Sequence, residues 1–340
     1  MVTVPVSGGG DGGRTVGWGI LATGGMAEAF AADLRQVPGA RAVAVGSRTR
    51  ESAERFAGRL GIPRAHGSWL DLARDPEVDV VYVATPHAAH RAAALLCLEQ
   101  GRAVLCEKPL TLNLPQARDL VAAARERRVF LMEAMWTLVH PVIRRVRELV
   151  DQGAIGEVRS VQAEFGFAAE EDPGHRLFDP AAGGGALLDV GTYPVWFAHH
   201  LLGAPDEITA WSHPAKTGVD ATTGMLLGYR GGAMAVLSCS VAAHHGQRAA
   251  VHGTAGWIEI RSDFYRPPGF VLHRPGREPE EVPGPPAQGN GYGHQAREVM
   301  RCLRQGRTES ELVPLDGTLA VMGTLDEVRR QIGLRYPGEA

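Results

Sequence analysis

Val16-Gly17-Trp18-Gly19-Ile20-Leu21-Ala22-Thr23-Gly24-Gly25-Met26-Ala27 is the stretch on which the fold turns. Six uncharged residues reach Leu21 and run directly into a glycine-bearing turn, and the residues after it suit a helix. Gly17-x-Gly19-x-x-Ala22 matches a dinucleotide fingerprint in spelling, but its glycines lie inside the strand. The register that follows the strand is Ala22-x-Gly24-x-x-Ala27. It puts Gly24 where a backbone must approach a pyrophosphate, with Ala27 opening the helix whose N-terminus holds that group. Ala22, Thr23, Gly24, Gly25 and Met26 are therefore candidate cofactor contacts. Ala22 stands where a first glycine is usual, so an ordinary strand–turn–helix is the competing reading.

Outward from this turn, Ala42–Val45, Val78–Val83, Ala103–Cys106 and Val129–Met132 are short apolar runs. They alternate with amphipathic stretches such as Glu51–Leu60, Ala88–Gln100 and Leu114–Arg127. Strands apolar throughout, separated by helices, predict a doubly wound parallel sheet that holds its ligand at the strands' carboxyl ends. The second half reads as α+β with a large, mostly antiparallel open sheet. Thr222–Tyr229, Ala233–Val241, Arg248–His252 and Trp257–Ile260 are strand-like runs joined by tight turns. Helices are expected over Pro141–Gln152, within Gly183–Leu202, and near Gly293–Gln305 and Asp316–Ile332. Arg266–Gly291, rich in Pro and Gly, reads as irregular surface. The expected division is a tail at 1–14, a nucleotide-binding α/β domain at 15–136, an α+β domain at 137–333 and a tail at 334–340.

The 340 residues, 44% hydrophobic and 21% charged with net charge −3, suit two domains of roughly 150 residues each. That balance excludes binding of nucleic acid or anionic membrane by bulk charge. No apolar run approaches the roughly 18 residues of a membrane span. The Gly-rich N-terminus reads as a flexible tail and not a signal peptide. Cys97, Cys106, Cys239 and Cys302 show no disulfide or zinc spacing, so a reducing, cytoplasmic setting is expected.

The second strand ends Gly46-Ser47-Arg48-Thr49-Arg50, with no acidic residue for a ribose 2′-hydroxyl. Ser47 and Arg48 suit a 2′-phosphate, so NADP(H) is expected over NAD(H). Arg50 reads as helix surface. Of 35 basic residues only Lys108 and Lys216 are lysine. A lysine kept in so arginine-rich a chain marks a site needing a compact ammonium. Lys216 lies in a polar turn. Lys108 follows a buried strand in Cys106-Glu107-Lys108-Pro109, where Glu107 can orient it and the proline fixes the turn, a cis bond being one option. A surface turn is the alternative.

Gly183-Gly184-Gly185 opens a mostly apolar segment in which Asp189 and Tyr193 lie four apart, on one face of a helix. The plain alternative is a first-turn charge and a core tyrosine. His87 and His90, three apart, have metal-pair spacing, but no third ligand is evident, so no metal site is assigned. The ends of the fourth strand suit them better as residues facing the cofactor or capping the next helix.

In chain order and spacing these pieces resemble the glucose–fructose oxidoreductase/inositol dehydrogenase (Gfo/Idh/MocA) family. The resemblance covers Val16 to Gly333. It rests on the Gly-rich turn, Ala84-Thr85-Pro86-His87-x-x-His90, Glu107-Lys108-Pro109 and Gly-Gly-Gly-(x)3-Asp189-(x)3-Tyr193. Tyr193, where many members carry His, and Glu133-Ala134-Met135-Trp136-Thr137 are similar to the branch of dihydrodiol dehydrogenase, NADP-dependent xylose dehydrogenase and glucose–fructose oxidoreductase. The resemblance implies reversible hydride transfer between nicotinamide and a carbinol carbon of a sugar, cyclic polyol or trans-diol. It also implies that Thr85, Pro86, His87, His90, Glu107 and Lys108 contact the cofactor, that Trp136 lines the substrate pocket, and that the subunits form a homodimer or homotetramer through the second sheet.

Oxidising an alcohol needs a base, and free tyrosine, with a pKa of about 10, is a poor one at neutral pH. An ammonium beside it favours the phenolate. Tyr193 is thus expected as general acid/base, with Lys108 as its electrostatic partner and a substrate anchor. Asp189 would orient Lys108 or a substrate hydroxyl, and either Lys108 or Tyr193 could carry the proton. Arg176 either binds a polar or phosphorylated substrate or braces its loop. Two other readings compete. One is a reductase of a nucleotide-linked ketosugar, with Arg176, Arg248 or Arg261 meeting the diphosphate. The other is a non-catalytic NADP-binding regulator, against which the intact Lys108, Asp189 and Tyr193 argue.

Overall fold

The computed structural model describes residues 14–339. The expected N-terminal tail lies, up to residue 13, outside them. The chain forms two units. One contains the chain up to Val139 together with Ala287–Leu319, the other His140–Pro286 with the chain from Ala320 onward.

In the first unit, β1 (Val16–Leu21), β2 (Ala40–Gly46), β3 (Arg64–His66), β4 (Val80–Val83), β5 (Ala103–Cys106) and β6 (Leu131–Glu133) form one sheet in the order β3-β2-β1-β4-β5-β6. Every pairing is parallel, so the doubly wound architecture is present. The helices are α1 (Gly25–Leu34), α2 (Arg50–Leu60), α3 (Trp69–Arg74), α4 (His90–Glu99) and α5 (Leu114–Arg127). β1, β4 and β5 are buried at every residue because helices cover both faces. Thr49 caps α2 by accepting from the Ser52 amide, and Asn113 caps α5 by accepting from the Gln116 amide. β3 was not expected; its Arg-Ala-His carries no apolar run.

The second unit holds α6 (Pro141–Asp151), β7 (Val158–Gly166), α7 (Thr192–Leu202), β8 (Glu207–Pro214), β9 (Asp220–Gly228), β10 (Met234–Ser240), β11 (Ala249–Gly253), β12 (Gly256–Ile260), β13 (Gly269–His273) and β14 (Glu280–Pro283). Its eight strands run β14-β13-β12-β11-β7-β10-β9-β8, antiparallel except for β7 against β10. β13 and β14 lie inside the stretch expected to be irregular, a correction: their Pro and Gly residues flank and edge the strands. One sheet face is buried through Val161, Ala163, Leu227, Leu237, Val251 and Ile258. The other exposes Trp211, Leu226, Met234, Val236 and Trp257.

Two helices close the chain, α8 (Gly293–Arg304) and α9 (Leu315–Ile332). α8 belongs to the first unit, although the sequence placed it in the second domain. Asp33 of α1 accepts from the backbone amides of Asn290 and Tyr292, both at 2.9 Å, and from the Asn290 side chain. Arg125 pairs with Glu309 and Asp316. Beyond α9, Leu334 and Tyr336 are buried at 7% and 3% exposure, so the residues expected as a C-terminal tail pack into the second unit.

Candidate active site

The turn after β1 leaves open space at the start of α1. Ala22 takes φ +106°, a conformation natural to the glycine it replaces. Gly24 is the N-cap of α1, and no side chain caps the helix. A Cβ on Gly24 or Gly25 would meet no atom within 4 Å. The first amides of α1 therefore face open space, the arrangement that accepts a phosphate. Thr23 shares a hydrogen bond of 2.9 Å with Ser52, a partner the sequence did not suggest.

At the end of β2, Ser47 is buried and Arg48 is exposed. Among the described residues Arg48 forms no ion pair, whereas Arg50 is held by Glu54 at 2.8 Å on the surface of α2. The Thr85 hydroxyl is buried without a hydrogen-bond partner among the described residues, a donor a bound ligand would satisfy. These features fit a dinucleotide, which Gly24, Gly25, Ser47, Arg48 and Thr85 would hold.

The turns after β4 and β5 are clamped together. His90, fully buried, lies with Nδ1 2.8 Å from the Pro109 carbonyl and Nε2 2.8 Å from the Thr85 carbonyl. Burial pushes its pKa down to about 4 against the pull of those carbonyls. His90 thus ties two turns together, and neither ring nitrogen is left to contact a cofactor. His87, in the single 3-10 turn before α4, is 9% exposed with its ring 5.6 Å from that of His90.

The Lys108–Pro109 bond is cis. Glu107 accepts from the Tyr82 hydroxyl and from the backbone amide of Lys108, so it holds the turn as well as the residue. On the far side Glu133 accepts from the Leu110 amide at 3.1 Å and from the Thr318 hydroxyl at 3.0 Å. Lys108, partly buried, is thereby fixed from both flanks. Trp136 is only 4% exposed and packs 4.6 Å from the ring of Tyr292. The Tyr292 hydroxyl reaches Met26 of the β1 turn.

In the second unit the segment expected to carry chemistry opens differently from a regular helix. Leu187–Gly191 is π-type and passes into α7. Such turns are rare and frequent at functional sites. The buried Asp220, first residue of β9, accepts from the Leu187 amide at 2.8 Å and from the Thr223 hydroxyl at 2.7 Å. Gly185 has φ +114°, and a methyl there would overlap the Asp220 carboxylate. From the other side the Tyr336 hydroxyl donates to the Gly184 carbonyl at 2.6 Å.

Asp189 pairs with Arg176 at 2.8 Å, joining two residues the sequence singled out separately. Tyr193, 7% exposed, has its ring 5.2 Å from Phe165 and 5.8 Å from Tyr265. Those two rings stack on one another at 4.5 Å. The Tyr265 hydroxyl donates to Asp263, and burial, reinforced by that carboxylate, raises its pKa. The alternation Val161-x-Ala163-x-Phe165 was a strand signal that could have located this wall. Arg261 is held by Glu259 and Glu281 on the surface, while Arg248 has no ion pair among the described residues.

Comparison with known proteins agrees with this geometry. Residues 16–135 match the model described as oxidoreductase family, NAD-binding Rossmann fold, and residues 143–259 match the GFO/IDH/MocA C-terminal domain. The trans-1,2-dihydrobenzene-1,2-diol dehydrogenase of Bos taurus is 39% identical over 332 residues, 94% of this chain and 98% of that protein. Among solved structures, KijD10, a 3-ketoreductase from Actinomadura kijaniata in complex with NADP and TDP-benzene, is 29% identical with a TM-score of 0.82, covering 94% of this chain and 98% of that one. The aldose-aldose oxidoreductase from Caulobacter crescentus complexed with glycerol is 25% identical with a TM-score of 0.85, covering 94% and 97%.

Proposed function

Because the chain belongs to the Gfo/Idh/MocA family of oxidoreductases, we propose that it is an NADP(H)-dependent dehydrogenase of a cyclic trans-diol or sugar, with Tyr193 as its general acid/base. The observation that carries this reading is the setting of Tyr193. Its phenol stands against the stacked Phe165 and Tyr265 rings, four residues on from an Asp189 already engaged by Arg176. An aromatic wall beside a proton-transferring phenol suits an unsaturated ring or the apolar face of a sugar. The likeness to a trans-dihydrodiol dehydrogenase favours the first.

When bound, nicotinamide supplies a hydride acceptor or donor. Tyr193 takes the carbinol proton on its phenol oxygen during oxidation and returns it during reduction. Lys108, held rigid by Glu107, His90 and Glu133, is its electrostatic partner, since an ammonium favours the phenolate. Asp189 with Arg176 orients a substrate hydroxyl. Ser47 and Arg48 select the 2′-phosphate, for which the unpaired Arg48 is the support. A substrate carrying a diphosphate is the second reading, favoured by the likeness to a 3-ketoreductase and by an Arg248 without a carboxylate partner.

The exposed sheet face with Leu226, Met234, Val236 and Trp257 is proposed to be covered by a second copy of the chain, giving a dimer or tetramer. Among the described residues no helix is long and apolar enough to cross a membrane, and four buried, unbridged cysteines suit a reducing cytoplasm.

The test is absorbance at 340 nm with NADP and NAD against trans-dihydrodiols, aldoses, inositols and a nucleotide-linked ketosugar. Tyr193→Phe is expected to lower turnover by about 10² to 10⁴ while NADPH affinity stays within about twofold. Near-normal turnover in that variant refutes the assignment.

A further inference from the structure

We propose that Asp220 is a positioning residue for the acid/base segment: by holding the Leu187 amide and filling the space beside Gly185, it sets the register in which Asp189 and Tyr193 leave the π-type turn. The proposal rests on the acid/base reading of Tyr193.

Three observations converge on this carboxylate. It is fully buried, and a single oxygen, Oδ2, accepts both the Leu187 amide at the head of the turn and the Thr223 hydroxyl of its own strand. Oδ1 has no hydrogen-bond partner among the described residues and occupies the position a side chain at residue 185 would need. A buried carboxylate is costly to desolvate, and a fold that only had to satisfy one amide would do so at less cost with a backbone carbonyl. What the carboxylate adds is a two-sided constraint. It pulls the turn inward at Leu187 and excludes every residue but glycine at 185.

The rest of the turn is held by different means. Gly191, at its end, packs on Cys239, which pairs in register with Thr223 on the neighbouring strand. Tyr336 props the Gly184 carbonyl. The turn therefore lies on a platform made by the first residues of β9 and the last of β10, and Asp220 is a side-chain hold on the amide that opens it. Asp189 and Tyr193 lie two and six residues beyond Leu187. A shift at that amide moves both, and a misplacement of about 1 Å at a reacting group can cost on the order of a hundredfold in rate.

The experiment compares the full chain with Asp220→Ala and Asp220→Asn. It measures kcat and KM with the best substrate of the 340 nm screen, NADPH affinity by fluorescence, melting temperature, and amide exchange of the 185–193 peptide by mass spectrometry. Asp220→Ala is expected to lower kcat by tenfold or more, to leave NADPH affinity within about threefold, and to speed exchange in that peptide. Asp220→Asn keeps an acceptor oxygen at the same reach and is expected to restore kcat to within about threefold. A folded Asp220→Ala with unchanged kcat and unchanged peptide exchange overturns the proposal, as does one whose only change is a lower melting temperature. Where Asp220→Ala yields no folded protein, Asp220→Ser is read by the same criteria. The exchange readout needs no turnover, so it separates failure of this proposal from failure of the Tyr193 assignment, which Tyr193→Phe tests alone.

Discussion

Arg176 Nη1 lies 2.8 Å from Asp189 Oδ1, with the carboxylate side chain 8% exposed and the guanidinium side chain 51% exposed. An ion pair half in solvent contributes about 1 kcal/mol or less to stability. Its chemical effect is larger, because it places positive charge on an acid that is otherwise shielded from water, and it does so from a loop ahead of the glycines.

Arg176→Ala is therefore expected to leave the melting temperature within about 2 °C and to lower kcat/KM by tenfold or more. Removing the guanidinium takes the charge partner at 2.8 Å away from a buried carboxylate, so the loss is expected in kcat as well as in KM. Arg176→Lys, keeping charge without the planar fork, is expected to fall between. A melting temperature that drops while kcat/KM stays fixed would assign Arg176 to bracing alone.

Arg48→Ala tests the proposed contact with the 2′-phosphate, a charge-assisted one worth about 1.5–3 kcal/mol. The KM for NADPH is expected to rise roughly tenfold to a hundredfold while that for NADH is unchanged. Ser47→Asp is expected to improve use of NADH by offering an acceptor to the 2′-hydroxyl. Steady-state kinetics with both cofactors decide it, and equal effects on the two would sink the assignment.

Ala22 carries a side chain at φ +106°, a region costing a non-glycine residue about 1–2 kcal/mol. Ala22→Gly is expected to raise the melting temperature by a few degrees, the gain being reduced by the greater freedom of glycine in the unfolded chain. Ala22→Val should lower it. Calorimetry of the three proteins measures both signs.

His199, His200 and His294 are each pushed down to about 4, primarily by burial. The unfolded chain binds these protons near pH 6.5, so stability is complete above that value and is lost as pH falls from about 6.5 toward 4. The urea midpoint is expected to drop between pH 7 and pH 5. His199→Gln, which can still meet the Thr324 hydroxyl, should flatten the slope. A midpoint that holds or rises at pH 5 contradicts this.

Asp220 acts in the opposite sense. Burial raises its pKa to about 7, against the pull of Thr223, the Leu187 amide and Arg329. The charged and titratable groups facing it are Arg329, Cys239 and Tyr336, and burial keeps the last two protonated. With the folded value above the unfolded one, its contribution is full below about 3.8 and fades as pH rises through 7. Asp220→Asn lacks that loss, so its stability relative to the wild type should improve between pH 5 and pH 8, measured as paired melting curves.

The parallel sheet was legible because β1, β4 and β5 are apolar at nearly every position, and the turn after β1 and the cis-proline turn follow directly from it. The edge strands β3 and β14 were not, since short strands at a sheet margin carry no continuous apolar run. Lys108, Asp189 and Tyr193 stood out by composition and spacing. Asp220 and Tyr336 did not, because nothing local distinguishes a carboxylate at the start of a strand or a tyrosine near the chain's end; their role comes from contacts 33 and 152 residues away. His90 shows the converse: its place after β4 suggested a residue facing the cofactor or capping the next helix, and its burial between two carbonyls made it a clamp.

Asp33, early in the chain, waits for Asn290 and Tyr292. The first unit is thus incomplete until the chain has been made as far as Tyr292. At about 5–20 residues per second, the ribosome needs on the order of ten seconds or more to travel from Val139 to Ala287. During that interval the first sheet exists without α8, and the side of α1 that packs against that helix is open to chaperones, or to another nascent copy at the same stage.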